Sequence, residues 1–149
     1  MDPATGDPVN LDTILDVLRQ SEGLINTLGI ELVQEGELLT GYLTVQPLHS
    51  GAPGIAHGGA VMTLLDSSLG FQALGMALEV GRATSTVEMK TNFLRPVRVG
   101  QRLVVRPEIQ SRGKSLLVLS GHAEDVETGE RVAFAVGTFN LFTTDRLQS

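Results

Sequence analysis

The chain has 149 residues, of which 42% are hydrophobic, and this is enough for one compact domain with a buried core but not for two. Its formal net charge is −6 and only 4% of its residues are aromatic, so it lacks both the positive field and the stacking surfaces of a nucleic-acid-binding protein. The absence of cysteine excludes disulfides, cysteine-ligated zinc and thiol catalysis.

The amino-terminal half begins with a polar segment, residues 1–10, which predicts a flexible lead-in to a single domain spanning 1–149. No secretion signal and no uninterrupted apolar stretch of about 18 residues is visible, so we expect a cytoplasmic protein without a membrane partner. Apolar residues at helical spacing predict an amphipathic helix over about 11–21. Alternating apolar residues between 29 and 45, with Gly36 between the two runs, predict a β-hairpin.

The remaining elements follow a segment, 47–59, whose glycines and prolines predict a shaped loop. The apolar segment 60–80 predicts a long buried helix because it is rich in Ala, Leu and Met. Four strands, interpreted as a meander, are then predicted over about 82–95, 100–111, 114–126 and 131–143. This order favours an α+β fold in which an antiparallel sheet wraps around one long central helix.

Two glycines, Gly58 and Gly59, stand where the loop leads into the long helix. The first turn of a helix has unpaired N–H groups and a partial positive charge, and glycine lets another group approach the backbone closely. Both amides are therefore candidates for an oxyanion hole, which stabilises the negative oxygen formed during acyl transfer. The alternative interpretation is a tight turn that only starts the helix.

Asp66 is the second unusual feature, because it lies in the middle of the apolar helix, where an unpaired carboxylate is costly. Thr63, Ser67 and Gly70 share its face of the helix, and this small polar stripe indicates a cleft. The alternative interpretation is an ion pair or a cap without chemistry.

The spacing of Gly58 and Asp66 constrains how they could act together. They are eight positions apart, so one helix places them about 12 Å apart at about 1.5 Å per residue. A base or nucleophile must lie about 3 Å from its target. We therefore expect a second copy of the chain, packed antiparallel, to bring its Asp66 to the first copy's Gly58.

The motif His57-Gly58-Gly59, with Asp66 nine positions after the histidine, resembles that of hotdog-fold acyl-CoA thioesterases of the phenylacetyl-CoA thioesterase-like family. The resemblance covers most of the chain and extends to the segments 85–90, 92–96 and 113–114. It implies a hotdog fold and hydrolysis of an acyl-CoA thioester to a carboxylic acid and free CoA, without a metal or redox cofactor. It also implies a homodimer or a dimer of dimers.

The resemblance also implies roles for individual residues. Gly58 would donate its N–H to the thioester carbonyl, and His57 would hold the loop and orient that donor or a polar neighbour. Asp66 of the opposing subunit would attack the carbonyl or activate a water, and Thr86 would position the water or the carboxylate. The family often has Asn where this chain has Gly51, so that role either passes to His49 or Ser50 or is absent.

Substrate contacts are expected from residues on the same loop and helix and from basic residues at strand ends, where they could meet the phosphates of CoA. These candidates are Ser50, Gly59, Met62, Ser67, Phe93, Arg95, Arg112 and Lys114. Three scattered histidines without cysteine predict no metal site.

Two other functions fit parts of the pattern. A non-catalytic acyl-CoA-binding protein would share the fold, and only the carboxylate at position 66 argues against it. An enoyl-CoA hydratase or dehydratase normally needs a His and a carboxylate acting together, and no such pair is visible on a loop. Neither the acyl group nor the choice between dimer and tetramer follows from the sequence.

Overall fold

In the computed structural model, which describes residues 9–143, an antiparallel sheet of seven strands wraps around one long helix. The helices are α1 (Leu11–Gln20), α2 (Leu24–Leu28) and α3 (Gly58–Glu79), and one 3-10 turn spans Pro47–His49. The strands of the main sheet are β1 (Glu31–Glu35), β2 (Leu38–Thr44), β5 (Ala83–Phe93), β6 (Arg102–Val105), β7 (Glu108–Arg112), β8 (Leu116–Asp125) and β9 (Arg131–Phe142). A small hairpin, β3 (Ser50–Ala52) and β4 (Ile55–Ala56), precedes α3.

The local elements agree with the sequence pattern in most places. Helix α1 fills the predicted range and is capped by Asn10, whose side chain accepts a hydrogen bond from the N–H of Thr13. The β1–β2 hairpin turns at Gly36, whose φ of 65° is a conformation that favours glycine. Residues 1–8 of the predicted lead-in lie outside the described residues. Helix α2 was not predicted.

The pairing of the later strands differs from the predicted meander. The sheet order is β1-β2-β6-β8-β9-β5, so β5 pairs with β9, the last strand, and not with β6. The predicted strand 100–111 is broken into β6 and β7, which pair with different parts of β8. The break falls at Arg106 and Pro107, and proline has no N–H to donate to a ladder.

Helix α3 is the core of the molecule and contacts β2, β5, β8 and β9. Its length and mean hydropathy would also suit a membrane span, but 56% of that window is buried inside the protein, as in a core helix. The helix packs tightly against Gly41 of β2, where an added Cβ atom would lie 1.9 Å from Oγ of Ser68. The predicted antiparallel sheet around a long central helix is confirmed.

Candidate active site

The start of α3 holds the predicted pair of amide donors, and the structure separates their roles. His57 is the N-cap, and its Nδ1 accepts a hydrogen bond of 2.8 Å from the N–H of Gly59. No hydrogen bond among residues 9–143 uses the N–H of Gly58, which has no partner within a helix because it lies in the first turn. Only Gly58 therefore offers a free amide at this helix start.

The loop before α3 is held by a buried histidine. His49 is 2% exposed, and its Nδ1 accepts from the N–H of Gln46 at 2.8 Å. Its Nε2 must then carry the proton and donate to the carbonyl of Leu28, also at 2.8 Å. The His49 carbonyl accepts from the N–H of His57 at 2.7 Å. With both ring nitrogens bonded to backbone, His49 positions the loop and is not available to a substrate.

Gly51, where the resembled family often has Asn, packs against His57. A Cβ atom added at Gly51 would lie 3.2 Å from Cδ2 of His57, so a side chain there would have to move the histidine. Ser50 lies beside it, paired with Ala56 across the β3–β4 hairpin and partly exposed. His49 and Ser50 were the two candidates to replace the family's Asn. The side chain of His49 is occupied by buried hydrogen bonds within the loop, so only the side chain of Ser50 is left for this role.

Asp66 projects from α3 towards β5, where Oγ1 of Thr86 donates a hydrogen bond of 2.8 Å to its Oδ1. The carboxylate is exposed in the single chain. Among residues 9–143 no Lys, Arg or His forms an ion pair with it. A buried ion pair therefore does not explain this aspartate.

A β-bulge in β5 brings both predicted parts of the site to the same face. Thr86 pairs with Phe139 and Glu88 pairs with Thr138, so Val87 is an extra residue. Thr86 and Phe93 are seven positions apart and would face opposite sides of a regular strand. Because of the bulge, Thr86 reaches Asp66 while the ring of Phe93 lies against the helix start, where a Cβ atom added at Gly58 would lie 3.1 Å from its Cζ.

Two adjoining clefts meet at Asp66 and Thr86. One, which we call the phenylalanine cleft, has a volume of about 290 Å³ and is also lined by Ile25, Ser67, Gly70, Phe71, Leu74, Thr84, Ser85 and Phe139. The other, the methionine cleft, has a volume of about 310 Å³ and is also lined by Leu24, Met62, Thr63 and Met89. The polar stripe predicted on α3 thus lines both clefts, together with the candidates Ser67 and Met62.

Helix α2 supplies a wall to each cleft, through Ile25 and Leu24. It has only five residues and no side-chain cap, so its periodicity is too short to stand out. One signal was available. Gly29 ends the helix in the left-handed conformation, with φ of 74°, and a glycine just after the last helical residue is typical of a helix carboxyl end.

The basic candidates fall at opposite ends of α3 in the single chain. Arg95 follows Phe93 near the helix start and forms an exposed ion pair of 3.3 Å with Glu130. Arg112 lies near the last residue of the helix, Glu79, at 3.9 Å, and borders a separate depression of about 730 Å³ that does not include Asp66. Lys114 lies at this far end as well, because its carbonyl accepts from Arg82, just after α3. No single group of these cations surrounds the carboxylate.

Within one chain, Gly58 and Asp66 cannot act on the same thioester. Both belong to α3, so their eight-residue separation corresponds to about 12 Å. His57 and Asp66 are equally remote, and the accepting nitrogen of His57 is engaged by Gly59. Within one chain, His57 and Asp66 therefore do not form the His–carboxylate pair that a hydratase needs.

Comparison with known proteins agrees with this architecture. Residues 53–132 match the family model of the thioesterase superfamily. The chain is 29% identical over 126 residues to mouse acyl-coenzyme A thioesterase 13, covering 83% of this chain and 89% of that protein. It is 33% identical over 100 residues to a Pseudomonas aeruginosa protein named as an esterase, covering 66% of this chain and 72% of that protein.

Solved structures show the same fold. A Haemophilus influenzae thioesterase superposes with a TM-score of 0.79 at 22% identity, covering 92% of this chain and 93% of that one. The Escherichia coli PaaI protein from the phenylacetic acid degradation operon superposes with a TM-score of 0.77 at 18% identity, covering 89% and 93%. The predicted hotdog fold is thus confirmed. With more than half of its length matched by the family model, the chain belongs to the thioesterase superfamily and is a thioester hydrolase by class.

Proposed function

We propose that this protein hydrolyses acyl-CoA thioesters in a homodimer, with Gly58 of one protomer and Asp66 of its partner at each site. The observation that carries the proposal is the exposed carboxylate of Asp66, bonded to Thr86 at 2.8 Å and lying between two clefts. The relatives named acyl-coenzyme A thioesterase support the choice of substrate.

In the proposed reaction the thioester carbonyl oxygen accepts the N–H of Gly58. Asp66 takes a proton from water, and the water oxygen forms a bond to the carbonyl carbon. The tetrahedral oxyanion is stabilised by the amide and by the partial positive charge of the α3 start. Its collapse breaks the C–S bond, and the proton held by Asp66 passes to the CoA thiolate. Water is the only co-reactant, so no cofactor is required.

The same geometry permits a second course, in which an Asp66 oxygen attacks the carbonyl carbon directly. CoA then leaves as the thiolate, which takes a proton from water, and a mixed anhydride forms on the aspartate, which the hydroxide left from that water hydrolyses in a second step. After a single turnover in ¹⁸O-labelled water, label in the Asp66 carboxylate indicates direct attack, because the anhydride has then been opened at the aspartyl carbonyl. A general base leaves Asp66 unlabelled and puts the label only in the acid product.

The dimer is supported by the edge of the sheet. Strand β5 has eleven residues and, among residues 9–143, pairs only with β9. Its outer edge presents unpaired backbone groups, together with Val87 and Phe93, which are 59% and 52% exposed. A long edge strand with unpaired backbone groups is a template for pairing with another chain, and this one contains Thr86 and lies beside the Gly58 end of α3.

Thiol release from a panel of acyl-CoAs tests the proposed function. We expect Asp66→Asn to lower kcat at least about a hundredfold, since an amide can neither take the proton nor attack. Asp16→Asn, at another exposed helical aspartate, is the matched control and should retain full activity. Circular dichroism and the sedimentation coefficient should be unchanged in both. If Asp66→Asn stays active, or if wild-type protein binds acyl-CoA without releasing thiol, the proposal is wrong.

A further inference from the structure

Gly70 in the middle of α3 has no packing reason to be glycine. An added Cβ atom would lie 3.6 Å from Cε1 of Phe139, which is ordinary van der Waals contact. At the other interior glycine of the helix, Gly75, the Cβ atom would lie 2.9 Å from Cδ2 of Leu11 and would clash. Glycine weakens a helix interior relative to alanine, so a glycine that the fold does not require indicates space kept for another molecule.

The space above Gly70 is the phenylalanine cleft. Gly70 follows Asp66 by four positions and therefore lies one turn further along the same face of α3, with Leu74 one turn beyond it. The ring of Phe139 lies beneath the cleft and is itself fully buried. Gly137 accommodates this ring, since a Cβ atom there would lie 2.8 Å from its Cε2. The cleft thus leads away from Asp66 over an apolar floor.

We infer that the phenylalanine cleft receives the acyl chain and that Gly70 sets the length of chain it accepts, an inference that rests on the proposed function. From Asp66 to Leu74 the helix rises about 12 Å, and the cleft volume of about 290 Å³ is near the lower limit of ligand pockets. The substrate class that fits is a straight acyl chain of medium length. The methionine cleft then holds the part of the thioester on the sulfur side.

Close packing of two α3 helices does not account for Gly70. In the proposed antiparallel pair, Gly58 of one chain faces Asp66 of the other, so the two-fold axis passes near Met62, halfway between them. Gly70 is eight positions from Met62 and lies about 12 Å from that axis. A close helix crossing would need its glycine near the axis.

The test compares Gly70→Ala and Gly70→Leu with wild-type protein on acetyl-, butyryl-, octanoyl- and palmitoyl-CoA. Both variants should fold, because a Cβ atom at Gly70 makes only ordinary van der Waals contact with Phe139 and further atoms can extend into the cleft. Gly70→Leu should keep the wild-type kcat/KM for acetyl-CoA and lose activity with chain length, about fourfold for each methylene that the cleft no longer accepts. Gly70→Ala should move the optimum to shorter chains by a smaller step. An unchanged chain-length profile in Gly70→Leu overturns the inference.

Two neighbouring residues of α2 form a matched pair of controls, because Ile25 lines the phenylalanine cleft and Leu24 the methionine cleft. Ile25→Ala should move the optimum to longer or bulkier chains, whereas Leu24→Ala should not change the profile. The opposite result would place the acyl chain in the methionine cleft and contradict the inference. Dissociation of Gly70→Leu into monomers on sedimentation would also contradict it.

Binding separates this inference from the proposed function. The dissociation constants of the same acyl-CoAs are measured by calorimetry on Asp66→Asn with and without Gly70→Leu. The added leucine should weaken octanoyl-CoA binding and leave acetyl-CoA binding unchanged, whether or not the wild-type protein releases thiol. Equal weakening of both ligands would show that Gly70 does not act on chain length.

Discussion

Asp66 has two carboxylate oxygens, and Thr86 donates a hydrogen bond to one of them at 2.8 Å. This contact holds the carboxylate in one orientation and leaves Oδ2 to face a water or the substrate. A threonine is common in strands for reasons of packing alone. The hydrogen bond to an exposed acid distinguishes Thr86 from such a residue, and we therefore propose Thr86 as a positioning residue.

Replacing Thr86 by valine keeps its shape and removes the hydroxyl. A hydrogen bond to a charged group contributes about 1.5–3 kcal/mol, so we expect Thr86→Val to lower kcat about ten- to a hundredfold while KM changes little. Thr86→Ser retains the hydroxyl and should recover most of the rate. Steady-state kinetics on the three proteins provide the measurement. A loss confined to KM, or no recovery in the serine variant, would contradict the positioning role.

The sequence indicated the unusual residues of the site but not how each is bonded. Asp66 stood out because a carboxylate interrupts an apolar helix, and Gly58 because it begins that helix. The difference between Gly58 and Gly59 could not be predicted, since it depends on the rotamer with which His57 caps the helix. The role of His49 was equally hidden, because its two partners come from backbone groups of its own loop and of distant α2.

At the scale of elements, periodicity predicted α1 and the β1–β2 hairpin, and composition predicted α3, because these signals are local. Periodicity could not reveal the bulge at Val87, because a bulge depends on how β5 is registered against β9. Nor could it give the sheet order. Alternation shows that a segment is a strand with one buried face, but not which other strand it pairs with, and β5 and β9 are joined across 37 residues of intervening chain.

The approach of α3 to β2 depends on Gly41, where an added Cβ atom would lie 1.9 Å from Oγ of Ser68. Ser68 cannot move freely, because it is fully buried and its hydroxyl donates to the carbonyl of Leu64. We expect Gly41→Ala to destabilise the protein by about 1–3 kcal/mol through overpacking. Urea unfolding measures this change in the free energy of unfolding.

A double mutant identifies the cause. Ser68→Ala removes the oxygen responsible for the closest contact, so Gly41→Ala should cost less in the Ser68→Ala background than in wild-type protein. The recovery should be partial, because the Cβ atom of Ser68 would still lie 3.0 Å away. Equal costs in the two backgrounds would show that Ser68 is not the obstacle.

At the scale of the whole molecule, His122 lies on the outer face of the sheet, where protonation of its ring destabilises the folded state. Burial, and secondarily the charge of Arg131, lower the pKa of His122 below its usual 6.5. Its Nδ1 is buried without a hydrogen-bond partner among residues 9–143, and its ring lies 4.6 Å from that of Phe134. The nearby Glu108 and Glu124 oppose this shift but do not reverse it.

Stability should therefore fall as the pH is lowered through about 6.5, because the unfolded chain then binds a proton that the folded His122 does not. We expect the urea midpoint of wild-type protein to decrease between about pH 7.5 and pH 5.5, and that of His122→Phe to decrease less. The pKa of Asp125 is lowered by the hydrogen bonds that it accepts from Gln101 and from the backbone of Thr128 and Glu127. Its effect on stability therefore falls in the acid range below this window. Identical pH dependence in the two proteins would contradict the assignment.

The shared site can be tested by mixing two inactive proteins. Gly58→Pro removes the N–H at the first helical position, where proline is well tolerated. The preceding His57 already has φ of −63° and ψ of 136°, which suit a residue before proline. Gly58→Ala is the control for the added carbon near Phe93, since it keeps the amide, and it should retain activity that Gly58→Pro loses.

Gly58→Pro and Asp66→Asn should each be inactive alone. After unfolding and refolding together in equal amounts, half of the dimers would contain one chain of each kind, and one of the two sites in such a dimer would have both Gly58 and Asp66 intact. We therefore expect recovery of about a quarter of wild-type activity, because each site in a two-fold dimer draws from both protomers. If each chain held a complete site of its own, every site in the mixture would lack one group. Mixing would then restore nothing, whatever the oligomeric state.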